Sequence, residues 1–150
     1  MTKLGNQPSS PIMKGGAYVH RQSNIARVVL SGAPNSAPID VPTSSVLVHE
    51  ASDYAYDEIF LWASNYGGTN NVVLHIEIGG DGTFADASKI FKLTMPKEAG
   101  LVQIYPGVPH QGVSIYAKAA SASHINLFGY ADRHYPLNPA EPTLGYNGQI

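Results

Sequence analysis

The chain has 150 residues, a formal charge of −2, only 13% charged residues against 43% hydrophobic ones, and no cysteine. That length predicts one folded domain. The lack of thiols excludes thiolate catalysis, thiol-ligated zinc and disulfides, and basic residues scattered singly exclude a surface that tracks nucleic-acid phosphates.

The chain opens with Met1 to Pro8, which lead into no apolar run of signal-peptide length, and no stretch of about 18 consecutive apolar residues occurs anywhere. A soluble protein made in the cytoplasm, with no membrane partner, is the expectation. Pro8, Pro11, Pro34, Pro38 and Pro42 then punctuate residues 1–45. Proline removes a ladder donor and fixes φ, so this segment is expected to be an extended N-terminal arm with one possible short strand, at Ala26–Leu30.

Residues 46–133 are expected to form the folded domain. Short β-branched or aromatic runs recur there between Gly, Pro, Asn, Asp and Ser clusters: Val46–Glu50, Asp57–Ser64, Asn71–Ile78, Lys89–Met95, Gly100–Tyr105, Gly112–Ala119 and His124–Ala131. With the arm strand they make about eight, the pattern of an all-β antiparallel sandwich of jelly-roll type. No window carries a convincing helical stripe. In Val72 to Ile78, aliphatic residues at every second position predict a core face, with His75 and Glu77 on a wet one. Ile115 and Ala117 likewise alternate with Tyr116 and Lys118. Ile59 to Ala63 is apolar on both faces, so its outer side needs a cover, and Trp62 is expected in the core. Tyr66 to Asn70 predicts a hairpin turn, and Pro106-Gly107-Val108-Pro109 a turn between strands.

The last segment, 134–150, holds Pro136, Pro139, Pro142, Gly145 and Gly148 and is expected to be a second extended arm. Both arms still carry apolar and aromatic anchors. Ile12, Tyr18, Leu137, Leu144 and Tyr146 are therefore the candidate partner-binding residues, since a purely solvating tail has little use for them.

Searches for catalytic chemistry return bland readings. Of the six histidines, none has ligand-grade spacing; His75 and Glu77 share a strand face, but two ligands do not make a metal site. Asp81 to Asp86 lacks the alternating oxygens and terminal glutamate of a calcium loop and reads as an Asp/Gly turn. The carboxylates around His49, Asp53, Asp57 and Glu58 cannot be placed across a cleft by composition. Asp132-Arg133-His134 puts its members on neighbouring residues whose side chains diverge, and no GxSxG elbow is present. Neither Gly15-Gly16 nor Gly79 to Gly82 matches a phosphate loop. A non-enzyme without metal or cofactor is the expectation. The nine tyrosines suit protein or sugar recognition.

Three successive stretches carry a resemblance: Gly100-Leu101-Val102-Gln103-Ile104-Tyr105-Pro106-Gly107-Val108-Pro109, then Gly112-Val113-Ser114-Ile115-Tyr116-Ala117, then His124-Ile125-Asn126-Leu127-Phe128-Gly129-Tyr130. Together they resemble small β-sandwich virion proteins of tailed bacteriophages, over about the last third of the folded middle. The resemblance implies a non-enzymatic capsid decoration or cement protein, or a neck or tail subunit, located in the virion and assembled in the host cytoplasm. Its implied partners are the major capsid protein or other virion subunits and further copies of itself, a trimer being one such assembly. From the residues alone, a carbohydrate-binding sandwich that stacks Tyr and Trp62 on sugar rings is the competing expectation.

Overall fold

A computed structural model describes residues 25–136. The arm residues Ile12, Tyr18, Leu137, Leu144 and Tyr146 lie outside the described residues. Within them the protein is all-β, apart from a single 3₁₀ turn at Ala87–Lys89.

Nine strands follow in order: β1 (Ile25–Val29), β2 (Ile39–Asp40), β3 (Val46–Glu50), β4 (Tyr56–Asn65), β5 (Val72–Ile78), β6 (Ile90–Met95), β7 (Val102–His110), β8 (Ser114–Ala119) and β9 (Ile125–His134). They form two sheets. One runs β1-β9-β4-β7 with the short β2 also on β9, and the other runs β3-β8-β5-β6. Every recorded pairing is antiparallel.

Alternation explains why both sheets share a core. In β4, Ile59, Leu61 and Ala63 are fully buried; Leu74 and Ile76 of β5, Ile115 and Ala117 of β8, and Ile125, Leu127 and Ala131 of β9 join them in one hydrophobic cluster. Fully burying one such aliphatic side chain is worth about 1.5–3 kcal/mol. The segment Arg27–Val41, expected to belong to an arm, contributes Leu30, Ala33, Ile39 and Val41 to that cluster. Its prolines fall between strands or beside β2, where no ladder donor is lost.

Four sequence expectations are corrected. Tyr66 to Asn70 is not a hairpin, because β4 and β5 belong to different sheets. It is a corner that the buried Asn65 holds, its amide donating to the carbonyls of Asn70 at 2.8 Å, Met95 at 3.3 Å and Pro96 at 3.1 Å. Pro106 to Pro109 is not a turn but the middle of β7. An edge strand tolerates proline, since the side without a ladder needs no donor. Among the described residues β7 pairs with β4 alone, and two register shifts leave Ile104 and Gly107 as unpaired bulge residues. Gly107 has φ +88°, and a Cβ there would stand 2.6 Å from the Phe60 ring.

The third correction is Glu77, which is buried rather than wet and accepts the Gly82 N–H at 2.7 Å. The loop after β5 folds back over its carboxylate. The fourth is Trp62, which is half-buried on the outer face of its sheet rather than in the core.

Candidate functional site

Register builds the outer face of the five-stranded sheet. β4 and β9 pair so that Tyr56 faces His134, Glu58 faces Asp132, Phe60 faces Tyr130 and Trp62 faces Phe128. Because side chains alternate, all eight are on the side opposite the Ile59, Leu61 and Ala131 core. The sequence had given β4 two apolar faces; β9 now supplies matching aromatics. Phe60 and Tyr130 stack with centroids 5.1 Å apart, Trp62 and Tyr130 lie 5.8 Å apart, and the Arg27 guanidinium sits 3.9 Å from the Tyr130 ring centroid. Each aromatic pair adds about 0.5–1.5 kcal/mol beyond its buried area.

Close backbone packing fixes this row. Gly129, between Phe128 and Tyr130, lets the Phe60 carbonyl approach: a Cβ at that position would stand 2.2 Å from that oxygen. Gly107 gives the Phe60 ring its seat on the β7 side. Phe60, Trp62, Phe128 and Tyr130 remain only half-buried among the described residues. Self-stacking, Arg27 and Gly107 supply part of the cover that β4 was expected to need.

Charge frames the row. Arg27 donates to both oxygens of Asp132 at 2.8 and 3.0 Å. The Arg27 hydrogen bonds, working against some desolvation, hold the Asp132 carboxyl below its usual range. His134 stacks on Tyr56 at 4.5 Å and its Nε2 lies 3.0 Å from Glu58. Asp132 and His134 share this outer face, whereas Arg133 between them points the other way.

Arg133 leads to the second constellation. Its guanidinium donates to both oxygens of fully buried Asp57 at 2.8 and 2.9 Å. The buried His49 Nε2 lies 2.8 Å from Asp57 Oδ2, and the Ser31 N–H donates to His49 Nδ1 at 3.1 Å. A backbone amide can only donate, so Nδ1 accepts and Nε2 carries the proton to Asp57. Burial alone would push the Asp57 carboxyl up; the hydrogen bonds from Arg133 and His49, the Arg133 charge and the Ser52 amide outweigh it, and the net direction is down.

Ser31 Oγ lies 3.5 Å from His49 Nδ1, so serine, histidine and aspartate stand in line. Their chemistry is nevertheless that of a staple. The imidazole has no free basic nitrogen, Ser31 Oγ already accepts the Glu50 N–H at 2.6 Å, and Asp57 is neutralised by a bidentate arginine. The network joins β3, β4 and β9 behind the aromatic row. Sequence reasoning had noticed His49 and Asp57 but not their union with Arg133.

The remaining candidates settle locally. Asp81 accepts from the Thr83 N–H and hydroxyl at 3.0 and 2.6 Å, and Asp86 accepts from the Ser88 N–H and hydroxyl at 3.0 and 2.7 Å. Those bonds hold both carboxyls below their usual range. They close turns, and among the described residues no group of three or more His, Asp or Glu is placed to hold a metal.

No protein-family model matches this sequence, and a search of curated proteins finds no match to it.

Proposed function

We propose that this protein is a virion structural protein of a tailed bacteriophage: a capsid decoration or cement subunit that stabilises the shell by bridging capsid subunits. It acts as a non-enzymatic jelly-roll sandwich with arms. The observation that carries this reading is the half-buried aromatic row of Phe60, Trp62, Phe128 and Tyr130 on an outer sheet face, framed by charge. Aromatic residues and arginine surrounded by polar groups are the usual composition of a protein–protein contact.

Two further observations support it. The chain crosses between the two antiparallel sheets at most of its connections, and the orders β1-β9-β4-β7 and β3-β8-β5-β6 are compatible with a jelly roll. Jelly rolls of this kind serve in viral capsids and in lectins. One of the three stretches that carry the virion-protein resemblance, His124 to Tyr130, includes the part of β9 that builds the row. The arms, with Ile12, Tyr18, Leu137, Leu144 and Tyr146, add a second contact whose affinity multiplies with the first on a repeating lattice.

The sugar-binding alternative is less well served. Tyr130 stacks on Phe60 and carries Arg27 on its ring, so its faces are engaged within the protein. Copy number tests the proposal against its relatives. Quantitative mass spectrometry of purified particles from the genome that encodes the chain is expected to find it in hundreds of copies; a dozen or fewer places it in a neck or tail, and absence removes the virion reading.

A further inference from the structure

The outer face of the four-stranded sheet carries a different arrangement. Register sets Lys92 of β6 directly beside His75 of β5, and His75 directly beside Lys118 of β8. Three basic side chains therefore stand in one row across three adjacent strands. Directly opposed neighbours in a sheet have Cβ atoms about 5 Å apart, and like charges so placed destabilise the sheet. No carboxylate among the described residues pairs with Lys92 or Lys118; the lysine ion pair that forms nearby is Lys89 with Asp86. Glu77, the next outward residue of β5, is occupied by the Gly82 amide.

The loop after β5 builds a wall beside this row. Glu77 holds the Gly82 N–H and Asp81 holds Thr83, so the backbone is fixed on both sides of the turn. The next residue, Phe84, is held at φ +58°. For a bulky side chain that is a left-handed outlier costing about 1–3 kcal/mol. The strain delivers the ring to the row: Lys118 Nζ lies 4.7 Å from the Phe84 centroid, and the His75 ring meets Phe84 edge-on at 6.5 Å. The ring limits the freedom of the Lys118 ammonium and excludes water from one side of His75.

We propose that Lys92, His75 and Lys118, walled by Phe84, form a binding site for a tetrahedral oxyanion of the phosphate or sulfate class. The two ammonium groups supply charge, and the imidazole between them supplies an N–H donor once protonated. An oxyanion seated there relieves the repulsion that the register imposes. Such a group is available as the free ion or as an ester on a sugar or polymer. Desolvation together with Lys92 and Lys118 holds the His75 imidazole below its ordinary value in the unliganded protein. Lys92 from β6, Lys118 from β8, Phe84 from the loop and Glu77 on its own strand are the groups that bear on it.

The test is a pH titration of the His75 ring by NMR in the full chain, at constant ionic strength, in chloride, in inorganic phosphate, in sulfate and in a sugar phosphate. The His75 midpoint is expected to rise by about one pH unit in saturating phosphate or sulfate, as for a group gaining an opposite charge within reach. A rise with the free ions alone assigns the site to them, and a larger rise with the sugar phosphate assigns it to an ester. Lys92→Gln and Lys118→Gln are each expected to raise the midpoint in chloride and to abolish the response to phosphate. An unchanged midpoint in all three oxyanions, or a response in both lysine variants as large as the parent's, overturns the proposal.

Discussion

Asp57 is fully buried yet held in its charged form, because Arg133 takes both of its oxygens and His49 donates to one of them. Removing one partner of such a pair leaves a buried charge uncompensated. Arg133→Met is therefore expected to lower the unfolding free energy by about 3–5 kcal/mol in urea titrations, whereas exposed Lys97→Met stays within about 0.5 kcal/mol. Since the Asp57 carboxyl lies below its ordinary value of 3.8 in the folded protein, its stabilisation is present above that pH and is lost as pH falls through the folded value. His75 and His110 act at higher pH. Burial holds His110 below its ordinary value of 6.5, and His75 is lowered by burial and two lysines. The unfolded chain then binds protons first, so stability is complete above about pH 6.5 and declines as pH falls from there toward the folded values. Thermal melts between about pH 8 and pH 5 check that slope, and His110→Asn is expected to flatten it. Asp57 was legible in the sequence as the start of an expected strand, whereas Arg133 fell beyond the expected end of the last one at Ala131. Their meeting was not legible, because the two residues are 76 positions apart and only strand order joins them.

At the scale of elements, the expected runs match β1, β3, β4, β5, β6, β8 and β9 to within a few residues, because Gly, Pro and Asn clusters mark where each ladder must stop. β7 was cut short at Tyr105. Pro106 and Pro109 are ordinary turn signals, and only knowledge that β7 is an edge makes them compatible with a strand. β2 went unread because two residues carry no period. Gly107 is the element's most exacting position: its positive φ and the Phe60 ring both oppose a side chain. Gly107→Ala is expected to cost about 1–3 kcal/mol of stability and to weaken the quenching or coupling between Phe60 and its neighbours. A variant as stable as the parent removes the bulge from the account of how the aromatic row is seated.

The whole molecule turns on what its two outer faces do, and here the sequence was least informative. It showed apolar residues on both sides of β4, which called for a cover, and it offered the arms as the binding elements. It did not show that β9 would bring Phe128 and Tyr130 against Trp62 and Phe60, since that needs the register of two distant strands. Deletion of residues 1–24 or 135–150 is expected to lower particle occupancy, with occupancy read from stained gels of sedimented particles. Unchanged occupancy in both deletions takes the arms out of the contact. The central claim is that the aromatic row binds the shell. Its most direct test is saturation binding to shells assembled from the capsid protein of the same genome, comparing the parent with the Trp62→Ala/Tyr130→Ala double variant. Truncating a hot spot costs at least about 2 kcal/mol, so the parent is expected to saturate at a fixed ratio per shell and the folded variant, losing the stacked pair as one hot spot, to bind at least about thirty-fold more weakly. Equal binding by the two, or no binding by the parent, contradicts it.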